Sequence, residues 1–126
     1  MGEGEKEQTT KVVSYGAKSK DFFSSVYLVV KEIPYGRVTS YGAIASYLSA
    51  KKSSRMVGWA MGASHSQKDI PAHRVVNRLG VLTGRLQFSD PTEMERKLVS
   101  EGIQIKDDKV VDFKMKFWDP SKALNL

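Results

Sequence analysis

Residues 38–63 read VTSYGAIASYLSAKKSSRMVGWAMGA, and this stretch decides the fold. Apolar residues recur in it at helical spacing in two short runs. The first run follows Ser40, a typical N-cap, and the second begins near Ser53 or Ser54. Two short helices in close succession predict a helix-turn-helix whose later helix is the recognition helix. The residues predicted to face inward are Tyr41, Ile44, Ala45, Leu48, Val57, Ala60 and Met61.

A longer helix is predicted upstream of this motif, after Ser19. Its apolar stripe has the period of a helix and stops at the turn residues Pro34-Tyr35-Gly36. Residues 1–18 are rich in Glu, Lys, Thr and Gly without periodicity, so we expect a disordered N-terminal tail there. We therefore place one domain at residues 19–120 and a C-terminal tail at 121–126. The stripe consists of Phe22, Val26, Val29, Val30 and Ile33.

Downstream, the sequence predicts an extended run over residues 70–76 and a helix over 92–100 with Asp90 as its N-cap. Residues 103–106 and 110–113 flank Asp107-Asp108-Lys109 and predict a small β-hairpin, with Phe117 and Trp118 closing the core. The fold class is therefore α/β-containing but mainly α: a winged helix-turn-helix DNA-binding domain with a small β-hairpin wing.

The formal net charge of +6 is concentrated in the middle of the chain. Residues 34–88 carry eight basic side chains against the single acidic Asp69, whereas the flanking segments are close to neutral. Such placement is typical of a surface that binds a polyanion, although a basic pI also keeps a protein soluble. The basic residues are Arg37, Lys51, Lys52, Arg55, Lys68, Arg74, Arg78 and Arg85.

The composition excludes several classes of function. The chain has no cysteine, which excludes disulfides, thiolate metal sites and a catalytic thiol. With only two histidines we expect no metal site, and we expect no cofactor. No apolar run approaches the ~18 residues of a membrane span, and the polar start does not resemble a signal peptide, so we expect no membrane association.

The predicted recognition helix has one side almost without side chains, because Ser54, Gly58 and Gly62 repeat every four residues. Glycine costs ~1 kcal/mol in a helix interior, so its presence here indicates a close approach of the backbone to something. That neighbour is either another helix of the protein or the wall of a DNA groove. Arg55 at the helix start either projects into a duplex or contacts a phosphate.

Three ordered motifs resemble the C-terminal DNA-binding domain of O6-alkylguanine-DNA alkyltransferases. They are residues 35–41 (YGRVTSY), 54–58 (SRMVG) with Ala60-Met61, and 70–76 (IPAHRVV). The resemblance runs from about residue 20 to 106. The third motif of the alkyltransferases contains Pro-Cys-His-Arg-Val, and its cysteine accepts the alkyl group from guanine. Ala72 stands at that position, so the chain resembles the alkyltransferase-like proteins, which lack the acceptor.

The resemblance implies roles for two groups of residues. It places an arginine finger at Arg55 and, at Tyr41, a tyrosine that crowds the 3′ phosphate of the flipped nucleotide. Ser64 replaces a helix-terminating asparagine of the family, and Trp59 replaces a small residue, so it either joins the core or widens the minor-groove footprint. The implied DNA-binding residues are Tyr41, Ser54, Arg55, Gly58, Gly62 and Ser64. The implied alkylguanine pocket consists of Pro71, Ala72, His73, Val75, Arg85 and Glu101.

The function implied by the resemblance is non-enzymatic recognition of DNA damage. The protein would bind O6-alkylguanine in duplex DNA through the minor groove, flip the base and flag it for nucleotide excision repair proteins. We expect a monomer that acts wherever the DNA lies, in the cytoplasm and nucleoid of a bacterium or in a nucleus. The alternatives are a winged-helix transcription regulator, or an alkyltransferase inactivated by replacement of its cysteine with alanine.

Overall fold

The computed structural model describes residues 14–48 and 54–124, and its elements are mainly helical. The helices are α1 (Ser14–Lys31), α2 (Tyr41–Tyr47), α3 (Ser54–Ala63), α4 (Glu93–Ser100), α5 (Phe113–Lys116) and α6 (Pro120–Ala123). The strands are β1 (Thr39–Ser40), β2 (Val75–Val76), β3 (Ile105–Lys106) and β4 (Lys109–Val110). Three 3₁₀ turns occupy Ser64–Ser66, Ala72–Arg74 and Thr83–Gln87.

Helix α1 is longer than the sequence pattern predicts, because it begins at Ser14. The predicted tail is therefore wrong for residues 14–18, and residues 1–13 of that prediction lie outside the described residues. No proline interrupts residues 14–31, and each residue added to an existing helix gains a backbone hydrogen bond, so helix extends beyond the apolar stripe. The predicted inward residues Val26, Val29, Val30 and Ile33 are buried.

The helix-turn-helix is confirmed in α2 and α3, which pack against each other. Ser40 is the N-cap of α2, and its hydroxyl accepts a hydrogen bond from the backbone N–H of Ala43 at 3.1 Å. Helix α3 buries the predicted Val57, Ala60 and Met61. The motif therefore follows from the periodicity and capping visible in the sequence.

Two small strand pairs complete the fold. Strand β1 pairs in parallel with β2, and β3 pairs with β4 in an antiparallel hairpin, which confirms the predicted wing. The hairpin turn is Asp107-Asp108, with φ of 53° and 60°, a left-handed conformation that aspartate tolerates. The extended run predicted over residues 70–76 is wrong in its first part, because Ala72–Arg74 form a 3₁₀ turn and only Val75–Val76 are a strand.

Two predictions at element ends are also wrong. Thr92, and not Asp90, is the N-cap of α4; the Asp90 carboxylate instead accepts the Thr92 backbone N–H at 2.8 Å and closes a turn before the helix. The predicted C-terminal tail is helical over residues 121–123, because Asp119 caps α6 by accepting the Ser121 N–H at 3.0 Å.

The core divides into two clusters. One lies between α1, α2 and α3 and includes Trp118, as predicted. The other lies under α4 and the wing, and its buried residues are Val38, Val76, Leu82, Met94, Leu98, Ile103 and Val110. Strands β1 and β2 join the two, since Val75 belongs to the first cluster and Val76 to the second. Among the described helices, none is long and apolar enough to cross a membrane.

We predict that replacing Gly80 with alanine destabilises the fold more than the same change at Gly102. Both glycines have positive φ, 85° and 86°, so either substitution costs roughly 1–2 kcal/mol of backbone strain. A Cβ at Gly80 would also lie 3.0 Å from Phe113 Cγ, whereas no atom lies within 4 Å of the Cβ position at Gly102. Urea unfolding should show the Gly80→Ala loss to be larger by about 1–3 kcal/mol. Equal losses would contradict this account of the Phe113 contact.

Candidate nucleic-acid interface

The outer face of α3 is open. Arg55 is exposed, and no atom lies within 4 Å of the place where a Cβ on Gly58 would stand. Packing against another helix therefore does not explain Gly58, and this alternative is wrong at that position. Trp59 is 57% exposed, so the alternative that it joins the core is also wrong. The exposed Ser54 begins the helix, next to Gly42 of α2.

The C-terminal half of α3 lies against the turn Thr83–Gln87. A Cβ on Gly62 would stand 3.3 Å from Gln87 Oε1, so Gly62 lets this turn come close to the helix. The same turn approaches α2, because a Cβ on Gly84 would meet the Tyr41 hydroxyl at 3.0 Å. The turn is therefore the element that brings Tyr41 and the end of the recognition helix to one site.

Two predicted site residues, Tyr41 and Arg85, lie where the turn Thr83–Gln87 meets the helices. Burial raises the pKa of the Tyr41 hydroxyl above its ordinary value of 10, and a hydrogen bond with Thr83 acts in the opposite direction. The phenol is therefore protonated at neutral pH and can donate a hydrogen bond. Arg85 Nη1 donates to the Leu82 carbonyl at 3.2 Å, and its Nε lies 3.8 Å from Asp108 Oδ2 on the wing. The guanidinium is about one-third exposed.

A cavity of about 460 Å³ opens between the end of α3, the turn Thr83–Gln87 and α4. Ala72 lines it. Its wall combines an aromatic ring with amide, hydroxyl and charged groups. The lining residues are Ser64, His65, Gln67, Lys68, Ile70, Ala72, Gln87, Phe88, Ser89, Glu93 and Lys97.

Of the six predicted pocket residues, only Ala72 is among those that line this cavity, and His73 and Glu101 lie behind it. Ala72 lines it, whereas the half-buried Pro71 and the turn residue Arg85 do not. Val75 is 1% exposed and packs in the core with α1 to α3, so its place in the pocket is wrong. Strand pairing with Thr39 draws Val75 inward, a contact that the linear motif does not reveal.

Ser64 is also placed differently from the prediction. Its side chain is buried, and the hydroxyl donates a hydrogen bond to the Met61 carbonyl at 2.6 Å. This bond satisfies one of the free carbonyls at the end of α3. Ser64 therefore ends the helix and lines the cavity, and its burial speaks against direct contact with DNA.

Behind Ala72, the carboxylate of Glu101 gathers three donors. His73 Nε2 lies 2.6 Å from Glu101 Oε2, and Arg74 donates through Nη2 at 2.8 Å and through Nε at 3.0 Å. The backbone N–H of Gly36 donates to Oε1 at 2.9 Å. Arg74 also donates through Nη1 to the Ile33 carbonyl at 2.9 Å. His73 and Glu101, both implied pocket residues, are thus in direct contact, inside a larger network.

The protonation states of this network follow from its geometry. Burial alone would raise the pKa of Glu101, but hydrogen bonds from Arg74, Gly36 and His73 outweigh it and lower the value from 4.5 to about 2. Burial lowers the pKa of His73 below 6.5, and the bond to Glu101 only partly offsets it. At neutral pH the imidazole is therefore neutral and donates its Nε2 proton to an ionised Glu101.

Sequence reasoning missed the structural use of two basic residues. Arg74 is engaged by Glu101, and Arg37 donates to the carbonyls of Lys116 and Phe117 at 3.1 and 3.0 Å. Both are therefore fold-stabilising groups within the basic segment. The motif around Arg74 was the available signal for this structural role. Its partner, Glu101, lies 27 residues away in sequence, so the motif alone did not reveal the contact. Lys51 and Lys52 lie outside the described residues.

The arrangement has binding groups but no nucleophile of the alkyltransferase type. The chain contains no cysteine, and the described residues hold no cluster of His, Asp and Glu that could bind a metal ion. An open recognition helix, a protonated tyrosine and a cavity beside an alanine can bind and hold a ligand.

Comparison with known proteins gives consistent matches. The model of the 6-O-methylguanine DNA methyltransferase DNA-binding domain matches residues 21–103. Alkyltransferase-like protein 1 of Schizosaccharomyces pombe is 34% identical over 104 residues, which are 79% of this chain and 96% of that protein. The DNA base-flipping protein of Escherichia coli is 29% identical over 102 residues, covering 81% of this chain and 78% of that protein.

A solved structure extends the match to three dimensions. S. pombe Atl1 in complex with damaged DNA containing O6-carboxymethylguanine has a TM-score of 0.70 and 33% identity, over 79% of this chain and 95% of that chain. Fold and site together define a helix-turn-helix DNA-binding domain. The chain belongs to the family of the 6-O-methylguanine DNA methyltransferase DNA-binding domain, and within it to the alkyltransferase-like proteins.

We predict that Glu101→Gln lowers the free energy of unfolding by about 3 kcal/mol at pH 7, because Arg74 loses its buried counter-charge. The folded-state pKa of Glu101 is about 2, so its stabilisation is present above about pH 4.5 and is lost as the pH falls toward 2. The difference between wild type and variant should therefore shrink below pH 4.5. Urea titrations from pH 7 to 3 would measure it, with Glu95→Gln on the same helix as the control. A difference that stays constant with pH would contradict the assignment.

Proposed function

We propose that this protein binds duplex DNA containing O6-alkylguanine, turns the damaged base out of the helix and holds it without removing the alkyl group. The observation that supports the proposal is the motif of residues 70–76, which resembles the alkyltransferase motif but has Ala72 where that motif has its cysteine, next to the contact of His73 with Glu101 in a chain without cysteine.

The chemistry of dealkylation supports a binding role. Transfer of an alkyl group from guanine O6 requires a soft nucleophile, and an activated thiolate supplies it. The methyl group of Ala72 cannot attack an alkyl carbon. The neutral His73 donates a hydrogen bond from Nε2–H to Glu101, so this pair stabilises the fold.

The open face of α3 supports docking of this helix in the minor groove. Because Gly58 has no neighbour within 4 Å of its Cβ position, a duplex wall can approach the backbone there. Arg55 projects from the exposed start of the helix and would fill the space left by a flipped nucleotide. Tyr41, protonated and held against the turn Thr83–Gln87, would crowd the 3′ phosphate and favour rotation of the base.

The cavity beside Ala72 supports accommodation of the adduct. Its volume of about 460 Å³ leaves room for alkyl groups larger than methyl. Arg85, on the neighbouring turn, would lie over the purine face, where a guanidinium offers cation–π attraction and a hydrogen-bond donor for the modified O6 edge. Flipping costs a few kcal/mol, and less for a base that already pairs poorly, which favours lesions.

Removal of the lesion would then depend on other proteins. We propose that the monomeric protein forms a long-lived complex with bent DNA, which nucleotide excision repair proteins recognise, in whichever compartment holds the DNA. The support is chemical: a lesion bound without a nucleophile persists until another activity excises it. The finger role of Arg55 and the pocket role of Arg85 give two direct tests.

We predict that Arg55→Ala lowers the preference for O6-methylguanine duplex over plain duplex by about tenfold, the equivalent of ~1.4 kcal/mol. Fluorescence of 2-aminopurine placed at the lesion position should report less base flipping. Arg78→Ala is the matched control, since Arg78 is an exposed arginine of the same basic segment. If Arg55 is only a phosphate contact, its loss would weaken binding to both duplexes alike and reduce the salt slope by ~1, with flipping unchanged.

We predict that Arg85→Ala lowers discrimination between alkylated and normal guanine while affinity for plain duplex stays within about threefold, because one rim charge contributes little to a salt-dependent interface. Fluorescence anisotropy of labelled duplexes would measure both affinities. Circular dichroism should confirm that the fold survives loss of the bond to Leu82. An equal loss of affinity on both duplexes would identify Arg85 as a phosphate contact instead.

A further inference from the structure

We propose that Trp59 is a DNA-contacting residue whose indole packs against the sugar edges of the minor groove, independently of sequence and of damage. The inference rests on the proposed docking of α3 on DNA and adds to it an exposed aromatic residue of the same helix. It requires that Trp59 share the outer face of α3 with Arg55.

Helical geometry places Trp59 and Arg55 on one face. They are four residues apart, so their side chains are neighbours, separated by ~6 Å along the helix axis. The buried residues Val57, Ala60 and Met61 define the opposite face. A duplex that receives the Arg55 side chain therefore also meets the indole.

The exposure of Trp59 gives it the capacity for such a contact. The side chain is 57% exposed, whereas Trp118, in the core, is 8% exposed. An indole offers a large apolar area together with one N–H donor, a combination common at interfaces. Gly58 and Gly62 flank it without side chains of their own, so the ring is the main apolar projection of this face.

The chemistry of the groove defines the contact. Deoxyribose edges are apolar and common to all nucleotides, so a ring packed against them contributes affinity without reading sequence. Hydrogen-bond acceptors line the minor groove at A·T and G·C pairs alike, so the indole N–H can find a partner without a sequence requirement. The indole carries no charge, so its contact releases no counterions and leaves the salt slope of binding unchanged.

The test uses the intact chain with plain and O6-methylguanine duplexes of the same sequence. We expect Trp59→Ala to lower the affinity for both duplexes by about tenfold, within the range of aromatic contacts to nucleic acids, with an unchanged salt slope. Leu28→Ala is the matched control, because Leu28 is an exposed apolar residue on α1, 66% exposed. Binding is followed by anisotropy of a labelled duplex.

Intrinsic fluorescence provides the second measurement. Saturation with plain duplex should quench or shift the tryptophan emission of the wild type and protect it from acrylamide, and Trp59→Phe should abolish these changes. If anisotropy rises while emission and acrylamide access stay unchanged, or if Trp59→Ala binds like the wild type, the inference is overturned and the proposed function stands. If neither duplex binds, the proposed function is overturned together with it.

Discussion

The buried carboxylate of Glu101 is the interaction on which the site depends. It lies at the C-terminal end of α4, where a negative charge is unfavourable to the helix dipole, so its ionised form requires strong donors. Arg74, His73 and the Gly36 backbone supply them, and they come from segments 27, 28 and 65 residues away. One carboxylate therefore joins the loop after α1, the turn that carries Ala72, and α4. Ala72, which lines the cavity, lies in that turn directly before His73.

The same junction can hold the turn at Ala72 in place without a nucleophile. His73 is held by its hydrogen bond to Glu101, and its neighbour Ala72 carries no reactive group. The contacts of His73 and Arg74 with Glu101 contribute to stability, because both side chains are largely buried and need a polar partner. A cavity of about 460 Å³ opens beside Ala72.

Much of the fold was predictable from local signals. Apolar periodicity and the Ser40 cap predicted α2 and α3, and turn residues predicted the wing, because these features depend on neighbours in sequence. The burial of Val75 and the shape of the turn at Ala72–Arg74 were not predictable, since they depend on pairing with Thr39 and on the distant Glu101. The family resemblance placed His73 and Glu101 in the implied pocket. It indicated neither the role of Arg74 nor the aromatic and charged residues that line the cavity. These features depend on contacts between residues that are far apart in the sequence.

The central claim, binding of the lesion without repair, is tested most directly by intact mass spectrometry of the protein after hours with a stoichiometric amount of O6-methylguanine duplex. The account predicts that the protein mass and the mass of the modified strand both stay unchanged, although the duplex is bound. A protein heavier by one methylene group, together with a strand lighter by the same mass, would contradict it and would require a nucleophile other than cysteine.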